Sequence, residues 1–340
     1  MTVRTKSQIA ESFVFVKEEK LPLRYRHVDA SSIRLRSHAN AEHPDAVVFV
    51  EGEDYVVDAA NGLIGRTAGS RIADWSKNVL YGVTNFDHTK YEDWSNAKYT
   101  VFADYEYEPG DDEAGAQSEV REPAGPDVLK GLKEKLARGE EITYVVHGDS
   151  ISTGGEASEE KYTYFGRFAE RLSGLYPGGS VRIVNTAIGG EDSRGGVARV
   201  ATDVLSHAPD LVTIGYGMND QNKFEFGNGV PLAEYEANIR EMIETIRSEG
   251  NAVIILVTPC EPNPLWQHTS GTIGKYAEVL LRLASEYGIG AADAHAKWVL
   301  ELEAGKTPGS LLLNNINHPN DYGHWIYFTA FEAAFFGEGV

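Results

Sequence analysis

From Glu141 onward, short apolar runs alternate with amphipathic segments, and this alternation restricts the fold more than any other feature of the sequence. The apolar runs predict strands at Ile142–His147, Val181–Asn185, Leu211–Tyr216, Ala252–Thr258 and Ile289–Asp293. The clearest helical stripe consists of Leu232, Tyr235, Ile239, Met242, Ile243 and Ile246, and it ends at Gly250. Strands that alternate with helices form a parallel sheet covered on both faces, and such sheets bind ligands beyond the carboxyl ends of their strands.

The N-terminal residues follow a different pattern, with the period of two that is typical of half-buried strands. The stretch YTVFADYEY places Tyr99, Val101, Ala103, Tyr105 and Tyr107 on one face. Further β-like runs begin at Phe13, Ser32, Ala46 and Asn78, and Asn61-Gly62 predicts a tight turn between short strands. Many short strands without a long helical pattern predict a β-sandwich or jelly roll.

These two patterns divide the chain into two predicted domains. The first is a β-rich accessory domain over residues 1–125, which ends in an acidic linker rich in Pro and Gly at 108–126. The second covers residues 126–340 and opens with a short predicted helix from about Asp127 to Arg138.

Composition narrows the classes of ligand. The 340-residue chain carries a formal net charge of −20, which repels phosphate backbones and anionic membranes. We therefore expect a neutral substrate and neither a nucleic-acid nor a membrane partner; a homo-oligomer is left open. The single Cys260 excludes an internal disulfide, and without paired Cys, His-x₃-His, P-loop or dinucleotide motifs we expect no metal and no cofactor. The N-terminus lacks a long apolar segment, which favours a cytoplasmic location, with secretion left open if a signal peptide was removed.

A serine follows the first predicted strand of the α/β domain, in the sequence HGDSIS at residues 147–152. Taken alone, this short motif favours Asp149 or Ser150 as the cap of the next helix over a nucleophile. The ends of the second and third predicted strands run into VNTAIGGEDS at 184–193 and GYGMND at 215–220, and before the last helix the chain reads NNINHPNDYGH at 314–324. Because parallel strands end at the same edge of a sheet, the first two of these blocks are expected to lie near Ser150.

The four blocks, in this order, resemble the SGNH (GDSL) hydrolase superfamily from Glu141 to the C-terminus. The resemblance implies a flavodoxin-like, three-layer α/β/α parallel sheet and a serine esterase that acts through an acyl-enzyme. It implies the roles of four residues: Ser150 as nucleophile, His318 as general base, and Ser150, Gly190 and Asn219 as the oxyanion hole, with Gly189 as a competitor for the place of Gly190. This chemistry needs such residues, because a hydroxyl is a weak nucleophile without a base and the oxyanion needs donors aimed at it.

One position departs from the family pattern. The last block is usually Asp-x-x-His, but here Asn315 stands three residues before His318. Three explanations stay open: a backbone carbonyl orients His318 in a Ser-His dyad, another carboxylate replaces the aspartate, or the enzyme is impaired. Asp293, at a predicted strand end, is the first candidate for a substitute carboxylate.

Other polar and aromatic residues near these blocks have structural interpretations. Asp149 is expected to fix the serine loop by accepting backbone N–H bonds, and His324 to pack inside the last helix. Trp266, in a Pro-rich loop, reads equally as a wall of the substrate site and as a packing anchor. The N-terminal aromatics Trp75, Tyr81, Tyr91 and Trp94 favour core packing over stacking on sugar rings.

The predicted function is the hydrolysis of short-chain esters, with acetyl groups on a carbohydrate as the favoured substrate. The layout of a β-rich domain ahead of the hydrolase resembles that of esterases that deacetylate plant polysaccharides or oligosaccharides. Two alternatives remain: an aryl-ester, short-acyl lipid or thioester hydrolase on the same site, and a glycan-binding or scaffold protein with weak catalysis.

Overall fold

The computed structural model describes residues 5–109 and 127–337. The predicted linker at 108–126, apart from its first two residues, lies outside these ranges, and so does the predicted boundary between the two domains. Within the described ranges, no helix combines the length and the apolar character needed to cross a membrane.

The N-terminal part consists of two small antiparallel sheets. Within residues 5–109 the strands are β1 (Lys6–Val14), β2 (Lys20–Pro22), β3 (Arg34–Arg36), β4 (Tyr55–Asp58), β5 (Leu63–Arg66) and β6 (Thr100–Tyr107), paired in the orders β1-β6-β3 and β2-β5-β4. Phe13 and Tyr105 of the first sheet share one buried core with Ile64 of the second. Two sheets around one core make a small sandwich, and the jelly-roll alternative stays a prediction.

Local sequence patterns predict some of these strands and mislead at two segments. The run from Ala46 forms isolated bridges at Val48 and Glu51 and no strand. The alternation before Tyr107 is confirmed, because the core-facing residues of β6 are every second residue from Val101. The turn at Asn61-Gly62 joins β4 to β5, with Gly62 at a φ of 61°. The strand predicted from Asn78 is wrong, since that segment forms turns. Its Leu80 packs in a separate cluster with Trp266 of the C-terminal part, so the segment is buried without strand pairing.

The C-terminal part is the predicted parallel sheet. Within residues 127–337 the sheet contains β7 (Glu141–Gly148), β8 (Ser180–Asn185), β9 (Leu211–Gly215), β12 (Val253–Val257) and β13 (Gly290–Ala292), in the order β13-β12-β9-β7-β8, and β10 (Lys223–Phe224) and β11 (Gly227–Asn228) form a separate hairpin. The α-helices of this range are α1 (Lys130–Ala137), α2 (Tyr164–Leu175), α3 (Ser193–Arg199), α4 (Leu232–Glu249), α5 (Ile273–Tyr287), α6 (Ala294–Glu303), α7 (Pro308–Leu311) and α8 (Asp321–Phe335). The predicted short helix at the start of this part is α1.

Helices cover both faces of this sheet, as the alternation of elements predicts. On β7, Tyr144 and Val146 face a core built with α1, α2, α6 and α8, whereas the intervening Val145 faces a second core built with α4 and α5. The predicted stripe of α4 lies in that second core, and Gly250 follows the last residue of the helix. The sheet and its two helical layers form the three-layer α/β/α architecture.

A buried polar contact joins the two parts. The Lys306 ammonium of the C-terminal part pairs with the Glu11 carboxylate of β1 and donates to the carbonyl oxygen of Ser12 at 3.1 Å. Glu11 also accepts a hydrogen bond from the Tyr105 hydroxyl, and both charged side chains are almost fully buried. Because breaking a buried ion pair strongly destabilises a protein, this contact fixes the N-terminal part against the α/β part.

Candidate active site

Ser150 and His318 meet at the carboxyl edge of the sheet. Ser150 lies in the turn that follows β7, and His318 lies in the loop that precedes α8. The Ser150 Oγ is 2.9 Å from His318 Nε2, a distance suited to proton transfer from the hydroxyl to a neutral imidazole. Ser150 is 7% exposed, so the hydroxyl is sheltered but still reaches solvent.

The other nitrogen of this imidazole faces a carboxylate that the sequence analysis missed. His318 Nδ1 lies 3.5 Å from Oε1 of Glu156, six residues after Ser150. The hydrogen bond with His318 holds the pKa of Glu156 below its ordinary value. A carboxylate at Nδ1 favours the tautomer whose Nε2 is free to accept a proton, and it stabilises the imidazolium that forms. The one signal in the sequence was an acidic residue in the small-residue loop STGGEAS.

The loop that carries Glu156 is fastened to the start of α8. Ser158 donates to the Asp321 carboxylate through its backbone N–H at 2.8 Å and its hydroxyl at 2.7 Å. The His324 Nε2 lies 3.1 Å from the carbonyl oxygen of Gly154, which can only accept, so this nitrogen carries the proton. Burial lowers the pKa of His324 to about 3, so the ring is neutral. The elements that carry Ser150 and His318 are thus tied to one another directly.

The two predicted partners for His318 lie elsewhere, and both predictions need correction. The Asn315 Oδ1 accepts from the side-chain amides of Asn96 at 3.2 Å and Asn263 at 3.0 Å, so it holds the loop together. Asp293 caps α6, where its Oδ1 accepts from the backbone N–H of Ala296 at 3.1 Å. Among the described residues, Glu156 is the carboxylate within hydrogen-bonding reach of the imidazole.

Of the predicted oxyanion donors, Gly189 lies next to the Ser150 side chain. A Cβ added to Gly189 would stand 3.9 Å from the Ser150 Cβ, whereas Gly190, at a φ of 79°, faces open space. In the described part of the chain, the backbone N–H groups of these two glycines have no acceptor, although Ile188 before them donates to Gly148. The Asn219 Nδ2 donates to the carbonyl oxygen of Glu191 at 2.9 Å, which leaves its second N–H for a ligand.

Two buried carboxyl groups lie beneath the serine turn. Asp149 accepts from the backbone N–H of Ile151 at 3.0 Å, as expected of a residue that fixes the loop. Burial raises the pKa of Asp149 to about 7 and that of Asp220 to about 6. Asp220 Oδ1 accepts from the backbone N–H of Ser193, while its Oδ2 has no partner among the described residues. Asp149 therefore fixes the turn, and Asp220 holds the start of α3.

Trp266 is a packing anchor. It is 6% exposed and packs with Phe86 of the N-terminal part and with Ile316, two residues before His318. Its indole N–H lies 3.2 Å from His88 Nδ1. The substrate-binding role predicted for Trp266 would need an open ring face, and this burial does not provide one.

A cavity of about 310 Å³ lies beside Glu156, between the two parts of the molecule. The N-terminal part lines it with residues that include Ser37, His38 and Phe102, and the C-terminal part with Glu156 and Asp321. Its volume is at the lower end of the range for small-molecule sites, roughly 300 Å³. Within residues 5–109 and 127–337, no group of three or more His, Cys, Asp or Glu side chains is arranged to hold a metal ion.

Comparisons with known proteins show which family the chain is similar to. Residues 146–326, more than half of the chain, match the GDSL-like lipase/acylhydrolase family. The chain is 30% identical to the acetylxylan esterase of Geobacillus stearothermophilus over 215 residues, which are 58% of this chain and 94% of that protein. It is 31% identical to the arylesterase of Vibrio mimicus over 119 residues, 35% of this chain and 56% of that protein. It is 32% identical to esterase TesA of Pseudomonas aeruginosa over 121 residues, 36% of this chain and 56% of that protein.

A solved structure covers a similar share of the chain. The crystal structure of the Geobacillus stearothermophilus acetylxylan esterase matches 57% of this chain with 94% of its own, at 29% identity and a TM-score of 0.48. The family match runs from the end of β7 into α8, and it therefore includes both Ser150 and His318. The chain belongs to the GDSL-like lipase/acylhydrolase family, and it is a carboxylic ester hydrolase.

Proposed function

We propose that the protein removes short acyl groups, acetyl above all, from carbohydrate esters through an acyl-enzyme on Ser150. The observation that carries this proposal is the 2.9 Å contact between Ser150 Oγ and His318 Nε2, with the Glu156 carboxylate at Nδ1. A serine hydroxyl alone is a poor nucleophile at neutral pH, and a neighbouring imidazole activates it.

The reaction has two halves. As the Ser150 Oγ bonds to the ester carbonyl carbon, its proton moves to His318 Nε2, and the tetrahedral intermediate forms. The intermediate then collapses, the alcohol oxygen takes the proton from His318, and acetyl-Ser150 remains. Water attacks this acyl-enzyme in the same way, His318 returns the proton to Ser150, and acetate leaves.

Donors at the turn stabilise the oxyanion of each intermediate. The backbone N–H groups of Ser150 and of Gly189 or Gly190, together with the free N–H of the Asn219 amide, are the proposed donors. The nearness of Gly189 to the Ser150 side chain favours this glycine over Gly190. Donors fixed in place before the reaction stabilise developing charge without having to reorganise.

Glu156 is the proposed third member of the site. Its carboxylate replaces the aspartate that the family usually carries at the position of Asn315, from a different loop. With a carboxylate at Nδ1, neither a bare Ser-His dyad nor an impaired enzyme is needed to explain Asn315. In this arrangement the negative charge beside His318 lies on Glu156, and position 315 carries none.

The carbohydrate part of the proposal has three supports. The relative that aligns over most of its own length is named an acetylxylan esterase. The cavity beside Glu156 has hydroxyl, imidazole and carboxylate groups among its apolar lining residues, and these polar groups can bond the hydroxyls of a sugar. The net charge of −20 favours a neutral substrate.

The test compares the wild-type protein with Ser150→Ala on p-nitrophenyl acetate and on an acetylated xylo-oligosaccharide, with acetate release as the readout. Ser152→Ala is the matched control, because that hydroxyl lies on the same loop but bonds Tyr164 at 2.9 Å. We expect acetate release by the wild type and the control, none by Ser150→Ala, and a higher kcat/KM on the oligosaccharide. Release by Ser150→Ala at the wild-type rate would contradict the mechanism.

A second candidate substrate class is an aryl or thioester. Two relatives are named an arylesterase and an esterase. A panel of acetyl esters with sugar, aryl and thiol leaving groups separates the two candidates. A preference for the aryl or thiol esters would move the proposal to this class without changing the roles of Ser150 and His318. Sugar binding without turnover would instead favour a glycan-binding protein.

A further inference from the structure

We propose that Asn96, in the N-terminal part, is a positioning residue that holds the loop of His318 in its active arrangement. The proposal rests on the roles of Ser150 and His318 proposed above, and it makes the N-terminal part a component of the active site. Asn96 touches neither Ser150 nor His318. It acts through residues 309–315, the segment that precedes His318.

The Asn96 side chain is fully buried against the segment that precedes His318. Its Nδ2 lies 2.8 Å from the carbonyl oxygen of Leu312, 3.1 Å from that of Gly309 and 3.2 Å from the Asn315 Oδ1. Its backbone N–H donates to the carbonyl oxygen of Leu313 at 2.7 Å. One residue therefore holds the whole turn from 309 to 315.

Asn96 is itself held in place by its own domain. The indole N–H of Trp75 donates to the Asn96 Oδ1 at 2.7 Å, which fixes the orientation of the amide. With its oxygen used by Trp75, the amide must turn both N–H groups towards the loop. The neighbouring Ser95 hydroxyl adds a bond to the Leu313 carbonyl at 3.0 Å. Asn96 and Ser95 therefore form a polar interface between the N-terminal part and residues 309–315.

The turn that Asn96 holds is rigidly joined to His318. The backbone N–H of Leu313 donates to the carbonyl oxygen of His318 at 2.9 Å. The Asn314 Oδ1 accepts from the backbone N–H groups of Ile316, Asn317 and His318, at 3.0, 2.9 and 2.9 Å. A displacement of residues 312–315 is therefore passed on to the imidazole.

This arrangement also explains the asparagine at the position of the usual aspartate. Asn315 is 3% exposed, adopts a left-handed backbone with a φ of 57°, and accepts two amide N–H groups. Asparagine tolerates this backbone better than most residues do. An amide oxygen serves the two donors without placing a charge in the interior. Position 315 fastens the two parts together, and Glu156 supplies the charge.

The experiment compares Asn96→Ala with a control at the same domain interface but away from the loop. Arg24→Met removes the ion pair between Arg24 of the N-terminal part and Glu301 of α6. Two readouts are taken well below each variant's Tm: kcat and KM on p-nitrophenyl acetate, and the rate at which paraoxon phosphorylates Ser150. Phosphorylation needs the Ser150–His318 pair but no acetyl or sugar recognition, so it stays informative if the proposed substrate is wrong.

For Asn96→Ala we expect kcat and the phosphorylation rate to fall about 10- to 100-fold with KM little changed, since small misplacements of a catalytic group have effects of this size. Arg24→Met should lower Tm without changing either rate. Equal rates in Asn96→Ala and wild type would overturn the proposal, and so would a fall in both variants that simply follows Tm.

A milder variant keeps the proposal testable if Asn96→Ala does not fold. Trp75→Phe keeps an aromatic ring but removes the N–H that orients the Asn96 amide. We expect a smaller decrease in kcat, in the same direction, with the phosphorylation rate falling in parallel. A folded Trp75→Phe with wild-type values of both rates would overturn the role of Asn96. A wild-type protein that neither hydrolyses esters nor reacts with paraoxon would instead contradict the proposed function.

Discussion

Ser150 and His318 are held in place in two different ways. The serine turn follows directly from β7, and its fixed contacts come from its own neighbours and from the adjacent strands of the sheet. The histidine loop lies between the two parts of the molecule, and Asn96, far away in sequence, bonds to it. The nucleophile is thus positioned by a regular element, and the base by tertiary contacts.

This difference indicates which of the two segments can change its sequence and still keep the site in place. A turn that follows a central strand is tied to the sheet, so its sequence is restricted by local geometry. A loop held by distant side chains can exchange one hydrogen-bonding partner for another if the imidazole stays in place. Here the loop uses Asn315 for fastening, and the carboxylate comes from Glu156.

The largest expected effect tests whether the serine turn and the histidine loop act in the same catalytic step. His318→Ala should lower kcat on p-nitrophenyl acetate by about 10⁴-fold or more, because without a base the hydroxyl loses its activation. The double variant with Ser150→Ala should be no slower than either single variant. Multiplying effects in the double variant would show that the two residues do not share one step.

Asn219→Ala tests the donors beside the serine turn. We expect kcat to fall about 10²- to 10³-fold, since the amide donates to the oxyanion chiefly in the transition state. The control is Asn228→Ala in β11, because that amide bonds the Tyr276 hydroxyl at 3.0 Å. Steady-state kinetics that show a raised KM with an unchanged kcat for Asn219→Ala would place this residue in ground-state binding.

Glu156 and Asn315 offer a direct contrast between the two possible places for the charge. Glu156→Gln should lower kcat by about 10- to 100-fold, less than the ~10⁴ known for a buried aspartate. The effect is smaller because the Glu156 side chain is 40% exposed and lies 3.5 Å from the imidazole.

Asn315→Asp should change kcat little, because a carboxylate there would accept from the same two amides. The measurement is kcat and KM of both variants on p-nitrophenyl acetate over a range of pH. An unchanged Glu156→Gln together with a faster Asn315→Asp would return the orienting role to the usual family position.

The sequence predicts the parts of this site that depend on local patterns. The strands of the sheet follow from their apolar runs, and the resemblance of four polar blocks to the family implied the pairing of Ser150 with His318. Asn219 follows from the third of these blocks in the same way. Such features involve residues close together in sequence, whose geometry is set by the element they end.

The rest depends on contacts between distant residues. Glu156 lies in a loop without periodicity, and its place depends on the bonds of Ser158 to Asp321 and of Gly154 to His324. Asp293 is a helix cap because Ala296 follows it, which a strand-end position alone does not reveal. Nothing near Asn96 in the sequence indicates that its amide faces residues 309–315. Tertiary contacts decide these cases.

His324 joins the Ser150 loop to α8, which follows the His318 loop. We expect replacement of His324 to change the free energy of unfolding more than it changes kcat. Its pKa is lowered by burial to about 3, while an unfolded histidine titrates near ~6.5. Between these values the unfolded chain binds the extra proton, so stability is complete above the unfolded value and falls as the pH decreases towards 3. His324→Gln keeps a donor for the Gly154 carbonyl but cannot titrate. Denaturant unfolding at pH 7 and pH 5 should show the wild type losing about 2 kcal/mol more than the variant. An equal loss in both proteins would mean that the ring is protonated without opening the contact between the Ser150 loop and α8.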